Sequence, residues 1–223
     1  MDRDSDGSTG CFITFEGVEG AGKSSRCSTL IDSLEKSGIE VVHTREPGGP
    51  FASEKIRSIL LDPDLTVPPL TELMLYLASR ASNVELIVRP ALEAGQHVIC
   101  ERYSDATYAY QIGGRGLPSE PVKESNRLAT GGLTPDLTVL LDIDPEEGFR
   151  RLKRQGRKRD RIELENIAFH RRVRQMYLDM AKVEDRYFLV DATLNPDQQD
   201  KIILSKVISL IARRSIKTEE KDK

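Results

Sequence analysis

The chain has 223 residues, of which 38% are hydrophobic and 31% are charged, and its net charge is −3. This length predicts one domain with an ordinary core, and the mildly acidic balance argues against a general nucleic-acid binder. Three cysteines without metal-type spacing, no apolar run of ~20 residues and no signal-peptide pattern predict a cytoplasmic protein that does not enter a membrane.

Apolar runs of strand length alternate with segments of helical periodicity. In chain order, strands are predicted at 11–16, 39–43, 97–101, 137–142 and 187–190. Helices are predicted at 23–36, 51–61, 70–93 and 198–213, with Pro90 breaking or kinking the third. Short apolar strands separated by helices predict an α/β domain whose parallel sheet is covered on both faces. We expect residues 1–10 to be a disordered leader and 215–223 a solvated tail, so the domain spans 11–214.

A phosphate-binding loop follows the first strand. Residues 17–24 (GVEGAGKS) satisfy the pattern G-x-x-x-x-G-K-[ST] and lead into a helix. The glycines let backbone N–H groups surround phosphate oxygens, Lys23 reaches the β/γ-phosphates, and the Ser24 hydroxyl suits Mg²⁺. The segment predicts a nucleoside triphosphate site, with these candidate contacts: Gly17, Val18, Glu19, Gly20, Ala21, Gly22, Lys23, Ser24 and Ser25.

Three arginines indicate a second phosphate site. Arg45 lies in a TREPGG loop after the second strand, Arg57 on the next helix, and Arg102 directly after the third strand. One such arginine alone is typical of a surface ion pair. Three near the carboxyl edge of a parallel sheet favour a bound phosphate, because guanidinium groups bind phosphate bidentately. No Asn-Lys-x-Asp guanine-reading element is present, so a phosphotransferase with a small acceptor is favoured.

Several segments in the same order resemble bacterial-type thymidylate kinases, which belong to the P-loop nucleoside monophosphate kinases. They are 15–24 (FEGVEGAGKS), 44–49 (TREPGG), 101–103 (ERY), 105–111 (DATYAYQ), 114–116 (GRG), 135–142 (PDLTVLLD), 160–163 (DRIE) and 191–193 (DAT). The resemblance implies a three-layer P-loop fold with a five-stranded parallel sheet and a mobile lid. It also implies transfer of the ATP γ-phosphoryl group to dTMP, giving dTDP and ADP in dTTP biosynthesis, by a homodimer.

The resemblance assigns four residues to the phosphate and sugar of dTMP. Arg45, Arg57 and Arg102 match the arginines that hold or orient the phosphate. Glu19 matches the acid that addresses the deoxyribose 3′-hydroxyl.

Four further residues match positions around the base. Tyr76 stands where the family has a phenylalanine that stacks on thymine, although a helix-face core aromatic is the alternative. Arg80 matches the arginine at the base edge, and Thr107 and Gln111 match polar groups that read the pyrimidine.

A basic segment leads into the 160–163 motif and shares its first two residues. Residues 150–161 (RRLKRQGRKRDR) contain eight basic side chains and one acid, without the interleaved aromatics that base stacking prefers. In the resemblance, residues 150–162 form the lid that closes over ATP. Gly20 stands where some family members have an arginine, so a lid arginine is implied to supply that charge. The candidates are Arg154, Arg157, Arg159 and Arg161, with Arg157 expected to contact ATP and Arg161 to act on the phosphates.

The expected mechanism is in-line transfer between two bound phosphates. Lys23 and a lid arginine would stabilise the migrating group, while Arg45 and Arg102 align the acceptor. Ser24 would bind Mg²⁺, with Glu101 in its outer shell. The family usually has Asp at position 101 and a hydroxyl residue at 106, where this chain has Glu101 and Ala106.

Two alternatives stay open at this stage. A deoxynucleoside kinase would use Glu101 as the base on a 5′-hydroxyl, but it would leave the arginine cluster without an acceptor phosphate. A nucleotide-dependent binding module would use the basic segment to touch nucleic acid. The three histidines, His43, His97 and His170, are expected to be solvated or packed side chains without a role, although His43 and His170 could neighbour the cleft.

Overall fold

The structure is a computed structural model that describes residues 10–156 and 158–221, with side chains described up to Arg214. Within these residues, five parallel strands form one sheet in the order β2-β3-β1-β4-β5. The strands are β1 (Phe12–Glu16), β2 (Val41–Arg45), β3 (His97–Glu101), β4 (Leu137–Asp142) and β5 (Tyr187–Asp191). In the centre of the sheet, Thr14 pairs with Cys100 on one side and Thr138 on the other. The predicted α/β class with a five-stranded parallel sheet is confirmed.

Helices connect the strands. They are α1 (Lys23–Lys36), α2 (Phe51–Leu61), α3 (Pro69–Asn83), α4 (Arg89–Glu93), α5 (Ser104–Thr107), α6 (Ser119–Thr130), α7 (Pro145–Arg154), α8 (Ile167–Val183) and α9 (Pro196–Lys221). Two π-helical stretches, Val84–Val88 and Tyr108–Gly114, continue α3 and α5. The first stretch joins α3 to α4, and Pro90 lies in the first turn of α4, where its missing N–H costs little. The predicted 70–93 segment is therefore helical throughout, in three parts.

The second strand begins two residues later than predicted. Gly38 adopts a left-handed conformation, with φ 76°, and the N–H of Ile39 donates to the carbonyl of Leu34 at the end of α1. Ile39 therefore belongs to the helix cap, and pairing with β3 begins at Val41. As a result, Arg45 is the last residue of β2 instead of lying in the loop after it.

The last helix is longer at both ends than the predicted 198–213 segment. The last helix begins at Pro196 and continues to Lys221, so the backbone of the predicted tail is helical up to that residue. Of the predicted leader, the described residue Gly10 is buried. Residues 1–9 and 222–223 lie outside the described part of the chain.

Apolar side chains cover both faces of the sheet. Along β1, Ile13 and Phe15 enter one buried cluster, whereas Phe12 enters another with Val98 and Tyr103. This alternation gives the three layers, and it leaves the carboxyl edge of the strands as the place for a ligand. Within the described residues, we find no helix that is long and apolar enough to span a membrane.

Candidate active site

A cleft with a volume of about 510 Å³ lies at the carboxyl edge of β1, β2 and β3. It contains P-loop residues at one end and the base-reading candidates at the other. Its lining includes most of the predicted site residues: Glu19, Gly20, Gly22, Lys23, Ser24, Ser25, Arg45, Arg57, Tyr76, Arg80, Glu101, Arg102, Thr107 and Gln111. Gly17, Val18 and Ala21 form the loop behind this lining, and Arg157 lies outside the described residues.

The P-loop has the backbone geometry that a phosphate cradle requires. Gly17, Gly20 and Gly22 have φ values of 136°, 74° and 92°. A residue with a side chain would be strained in these conformations. Gly22 caps the N-terminus of α1 without a side-chain hydrogen bond, so the positive end of the helix faces the cleft. The Lys23 Nζ donates to the carbonyls of Gly17 and Val18, both at 2.9 Å. Burial and the charge of Arg102 lower the pKa of Lys23 to about 8, so a bound anion would stabilise its ammonium form.

The P-loop also packs directly on the helix that begins the lid. A Cβ atom on Gly20 would lie 2.1 Å from the carbonyl oxygen of Gly148 in α7, and a Cβ on Gly148 would lie 2.2 Å from the carbonyl oxygen of Glu19. Two backbones can meet this closely only because both residues are glycine. This contact explains why position 20 has no room for an arginine in this chain.

Glu19 is the centre of a buried network beside the cradle. Its Oε1 accepts from the Arg102 guanidinium at 2.9 Å and from the Tyr110 hydroxyl, and its Oε2 lies 3.1 Å from His170 Nδ1. Burial opposes ionisation, but the hydrogen bond to His170 and the charge of Arg102 outweigh it, so the pKa of Glu19 is held well below its usual range. His170 is fully buried. It therefore has a partner in the site, which the sequence did not indicate.

Arg102 is held at the centre of the cleft. Its φ of 64° is left-handed, a rare conformation for non-glycine residues that clusters at functional sites. The guanidinium donates to Glu19 and to the Gly17 carbonyl, and it lies 4.9 Å from the centre of the Tyr110 ring. These contacts fix the direction of the side chain before any ligand is bound.

The two other predicted phosphate arginines lie nearby. Arg45 is paired with both carboxylate oxygens of Glu54, at 3.3 and 3.2 Å, and Arg57 donates to the carbonyl of Pro47 at 2.8 Å. Burial, together with the charges of Arg45 and Arg102, lowers the pKa of Arg57. The three guanidinium groups therefore repel one another, and a phosphate between them would relieve that repulsion.

The base end of the cleft contains Tyr76, Arg80, Thr107 and Gln111. Burial raises the pKa of the Tyr76 phenol. The Arg80 side chain is 1% exposed and uses four of its five N–H groups within the protein. Its acceptors are Glu46, Thr107, Asn126 and the carbonyl of Tyr103. One N–H group is left for a ligand, so Arg80 acts first as a support for the base end.

Ser24 and Glu101 meet where the resemblance implies Mg²⁺. The Ser24 hydroxyl donates to Glu101 Oε2 at 2.6 Å, and His43 Nε2 lies 3.4 Å from Glu101 Oε1. Burial opposes ionisation, but the hydrogen bonds from His43 and Ser24 outweigh it and lower the pKa of Glu101. A hydroxyl beside a carboxylate is an oxygen donor set that fits Mg²⁺, which keeps waters and nucleotide phosphates as its other ligands. Among the described residues, no cluster of three or more His, Cys, Asp or Glu suggests a different metal site.

Arg161, predicted to act on the phosphates, lies outside the lining of the cleft. Its Nη2 lies 2.5 Å from Glu72 Oε2, and its Nε donates to the carbonyl of Leu60 at 2.8 Å, outside the cleft lining. The buried carboxylate of Glu72 attracts this cation, so Arg161 is held beside Glu72. Arg159, another lid candidate, lies 5.0 Å from the centre of the Phe149 ring.

Sequence reasoning missed the carboxylates that hold the arginines. Glu46 supports Arg80, Glu72 supports Arg161, and Asp105 binds Arg186 through both oxygens at 2.6 and 2.7 Å. Glu46 lies in the 44–49 motif and Asp105 in the 105–111 motif. Their place in these motifs was the sign in the sequence that they could matter to the site. The partners are far away in sequence, so only the fold identifies them.

The cleft combines a P-loop with three arginines that protein groups hold in place. This combination defines a P-loop phosphotransferase whose acceptor carries its own phosphate. The thymidylate kinase family model matches residues 15–203.

Curated relatives give the same result. The chain is 47% identical to the thymidylate kinase of Pelobacter propionicus, covering 89% of this chain and 94% of the relative. It is also 47% identical to those of Trichlorobacter lovleyi and Deinococcus radiodurans, covering 90% of this chain in each case and 98% and 97% of the relatives. The chain belongs to the thymidylate kinase family.

Proposed function

We propose that this cleft transfers the γ-phosphoryl group of ATP to dTMP, giving ADP and dTDP. The observation that carries the proposal is the convergence of the P-loop with Arg45, Arg57 and Arg102 on one cavity. Binding of a triphosphate alone requires only the P-loop. Transfer to an acceptor that carries its own phosphate requires the P-loop and the arginine cluster. Family membership supports dTMP as that acceptor.

On the donor side, the P-loop N–H groups and Lys23 bind the β- and γ-phosphates. Lys23 leaves the carbonyls of Gly17 and Val18 when phosphate oxygens become available. A lid cation from 150–162 completes the charge around the migrating group, and Arg154 and Arg159 are its described candidates, since Arg161 is bound to Glu72. Closure of this segment excludes water from the phosphates.

On the acceptor side, Arg102 and Arg45 align the phosphate of dTMP, and Arg57 holds it from α2. This phosphate is an anion near neutral pH, so no general base is required. Glu19, ionised and fixed by His170, accepts the 3′-hydroxyl of the sugar.

Around the base, Tyr76 stacks on thymine, while Thr107, Gln111 and the remaining N–H of Arg80 contact the edge of the ring. Ser24 and Glu101 would hold Mg²⁺, directly and through water respectively. When bound, the ion neutralises charge on the transferring phosphates. The mutual arrangement of the protein residues positions donor and acceptor in line.

Two further properties belong to the proposal. Helix α3 exposes the apolar side chains Leu70 and Met74 one turn apart, and this stripe supports a homodimer, which Met74→Lys should weaken in light-scattering measurements. The three cysteines are buried free thiols, which fits the reducing cytoplasm.

The deciding experiment measures ADP release with ATP, Mg²⁺ and either dTMP or thymidine. Turnover of dTMP that is lost in Lys23→Ala and Arg102→Ala supports the proposal. Lys36→Ala, an exposed lysine at the other end of α1, is the matched control and should turn over normally. Turnover of thymidine alone would make Glu101 a base and refute the acceptor assignment.

A further inference from the structure

Beneath the base end of the cleft lies a buried carboxylate that phosphoryl transfer does not use. Glu72, on α3, is completely buried. Its Oε1 accepts from Arg115 Nε at 2.9 Å, and its Oε2 accepts from Arg115 Nη2 at 2.9 Å and lies 2.5 Å from Arg161 Nη2. Two guanidinium groups therefore hold this side chain in one position.

The same carboxylate binds Gln111 in the cleft wall. Gln111 Nε2 donates to Glu72 Oε1 at 3.0 Å, and the Gln111 side chain is almost fully buried. A carboxylate has no hydrogen to donate, so it can bind only the NH₂ end of the amide. If the amide were reversed, two acceptor oxygens would face each other without water. Glu72 thus determines that Gln111 offers Oε1 to the cleft.

An acceptor at this position distinguishes pyrimidines by N3. Thymine and uracil carry N3–H, which donates to an amide oxygen. Cytosine has a lone pair at N3 and would repel it. We propose that Glu72 is a positioning residue that fixes the amide orientation of Gln111 and thereby selects pyrimidine nucleotides with an N3–H donor. The proposal rests on the proposed function, because it requires that the cleft binds a pyrimidine monophosphate with its base at Gln111.

The connections of Glu72 make this orientation rigid. Arg115 follows the π-helical stretch that contains Gln111, and it also contacts Glu165. Arg161 is anchored by the carbonyl of Leu60 at the end of α2. Arg161 and Arg115 therefore hold the carboxylate of Glu72 from two directions. The carboxylate cannot rotate away from the Gln111 amide.

The test compares dTMP with its 5-methyl-2-pyrimidinone analogue, which keeps the sugar, phosphate and methyl group but has a lone pair at N3 and hydrogen at C4. The analogue lacks O4 in every measurement, with wild type and variants alike. A change in the ratio of the two kcat/KM values between wild type and a variant therefore reports the contact at N3. In Glu72→Gln, an amide replaces the carboxylate and Gln111 can turn. We expect the preference for dTMP to fall about tenfold or more relative to wild type.

Glu165→Gln is the matched control, because it removes the other carboxylate on Arg115 without touching Gln111, and its ratio should stay at the wild-type value. If Glu72→Gln does not fold, the double variant Glu72→Gln/Arg115→Gln makes the same test. It also removes the cation that loses its partner when Glu72 is replaced. Equal losses with both nucleotides, in either variant, would show that Glu72 is only structural and overturn the inference. Wild-type turnover of dTMP checks the proposed function separately, and its absence would refute both.

Discussion

Replacing Gly148 by alanine would place a methyl group against the backbone of the P-loop. The new Cβ would lie 2.2 Å from the carbonyl oxygen of Glu19, whereas ordinary contacts begin at 3.4 Å. The obstacle is backbone, so the loop and α7 must separate by about 1 Å, and an error of this size in phosphate positioning costs on the order of 100-fold in rate. Forced overpacking of this kind also destabilises a fold by about 1–3 kcal/mol.

The assay pairs steady-state kinetics with ATP and dTMP with urea unfolding. We expect kcat/KM to fall on the order of 100-fold and the free energy of unfolding to fall by about 2 kcal/mol. Glu146→Ala, in the first turn of the same helix, is the control: its side chain is 54% exposed and pairs with Arg171 in solvent. It should cost less than about 1 kcal/mol and leave turnover unchanged. Near-wild-type kinetics in Gly148→Ala would refute the inference that the glycine contact positions the P-loop.

Three other changes each test one buried polar side chain. Asp105→Asn should lower the free energy of unfolding by about 3 kcal/mol, because the Arg186 guanidinium loses a bidentate partner; an unchanged urea midpoint would contradict this. Burial raises the pKa of Glu16 to about 7, so the folded protein keeps a proton that the unfolded chain loses near its ordinary pKa of 4.5. Stability should therefore decline as the pH rises from 4.5 to 7, and thermal unfolding of Glu16→Gln should show a shallower decline, whereas identical slopes would speak against it. His170→Phe keeps an aromatic ring but removes the hydrogen bond to Glu19, so KM for dTMP should rise about tenfold with a smaller change in kcat; a wild-type KM would show that Glu19 does not need His170.

The nucleotide cradle and the sheet could be predicted from the sequence because both depend on local patterns. A strand, a glycine-rich turn and a helix start at Lys23 are adjacent in the chain, and short apolar strands alternate with helices. Parallel strands end at one edge, so Arg45 and Arg102 were expected to meet without knowledge of the fold. The error of two residues at β2 arose because the helix cap at Gly38 uses Ile39, and apolar periodicity does not report hydrogen bonding.

The composition and motifs of the chain thus determined its class and most of the predicted residues that line the cleft. The tertiary structure alone decided which charges are paired. Arg161 turns to Glu72, and His170 reaches Glu19 across 151 positions of sequence. These partners are set by the packing of distant helices against the sheet, and a buried charge takes the counter-ion that the fold brings within reach. For that reason an arginine inside a motif can serve the structure, while a histidine outside every motif can serve the site.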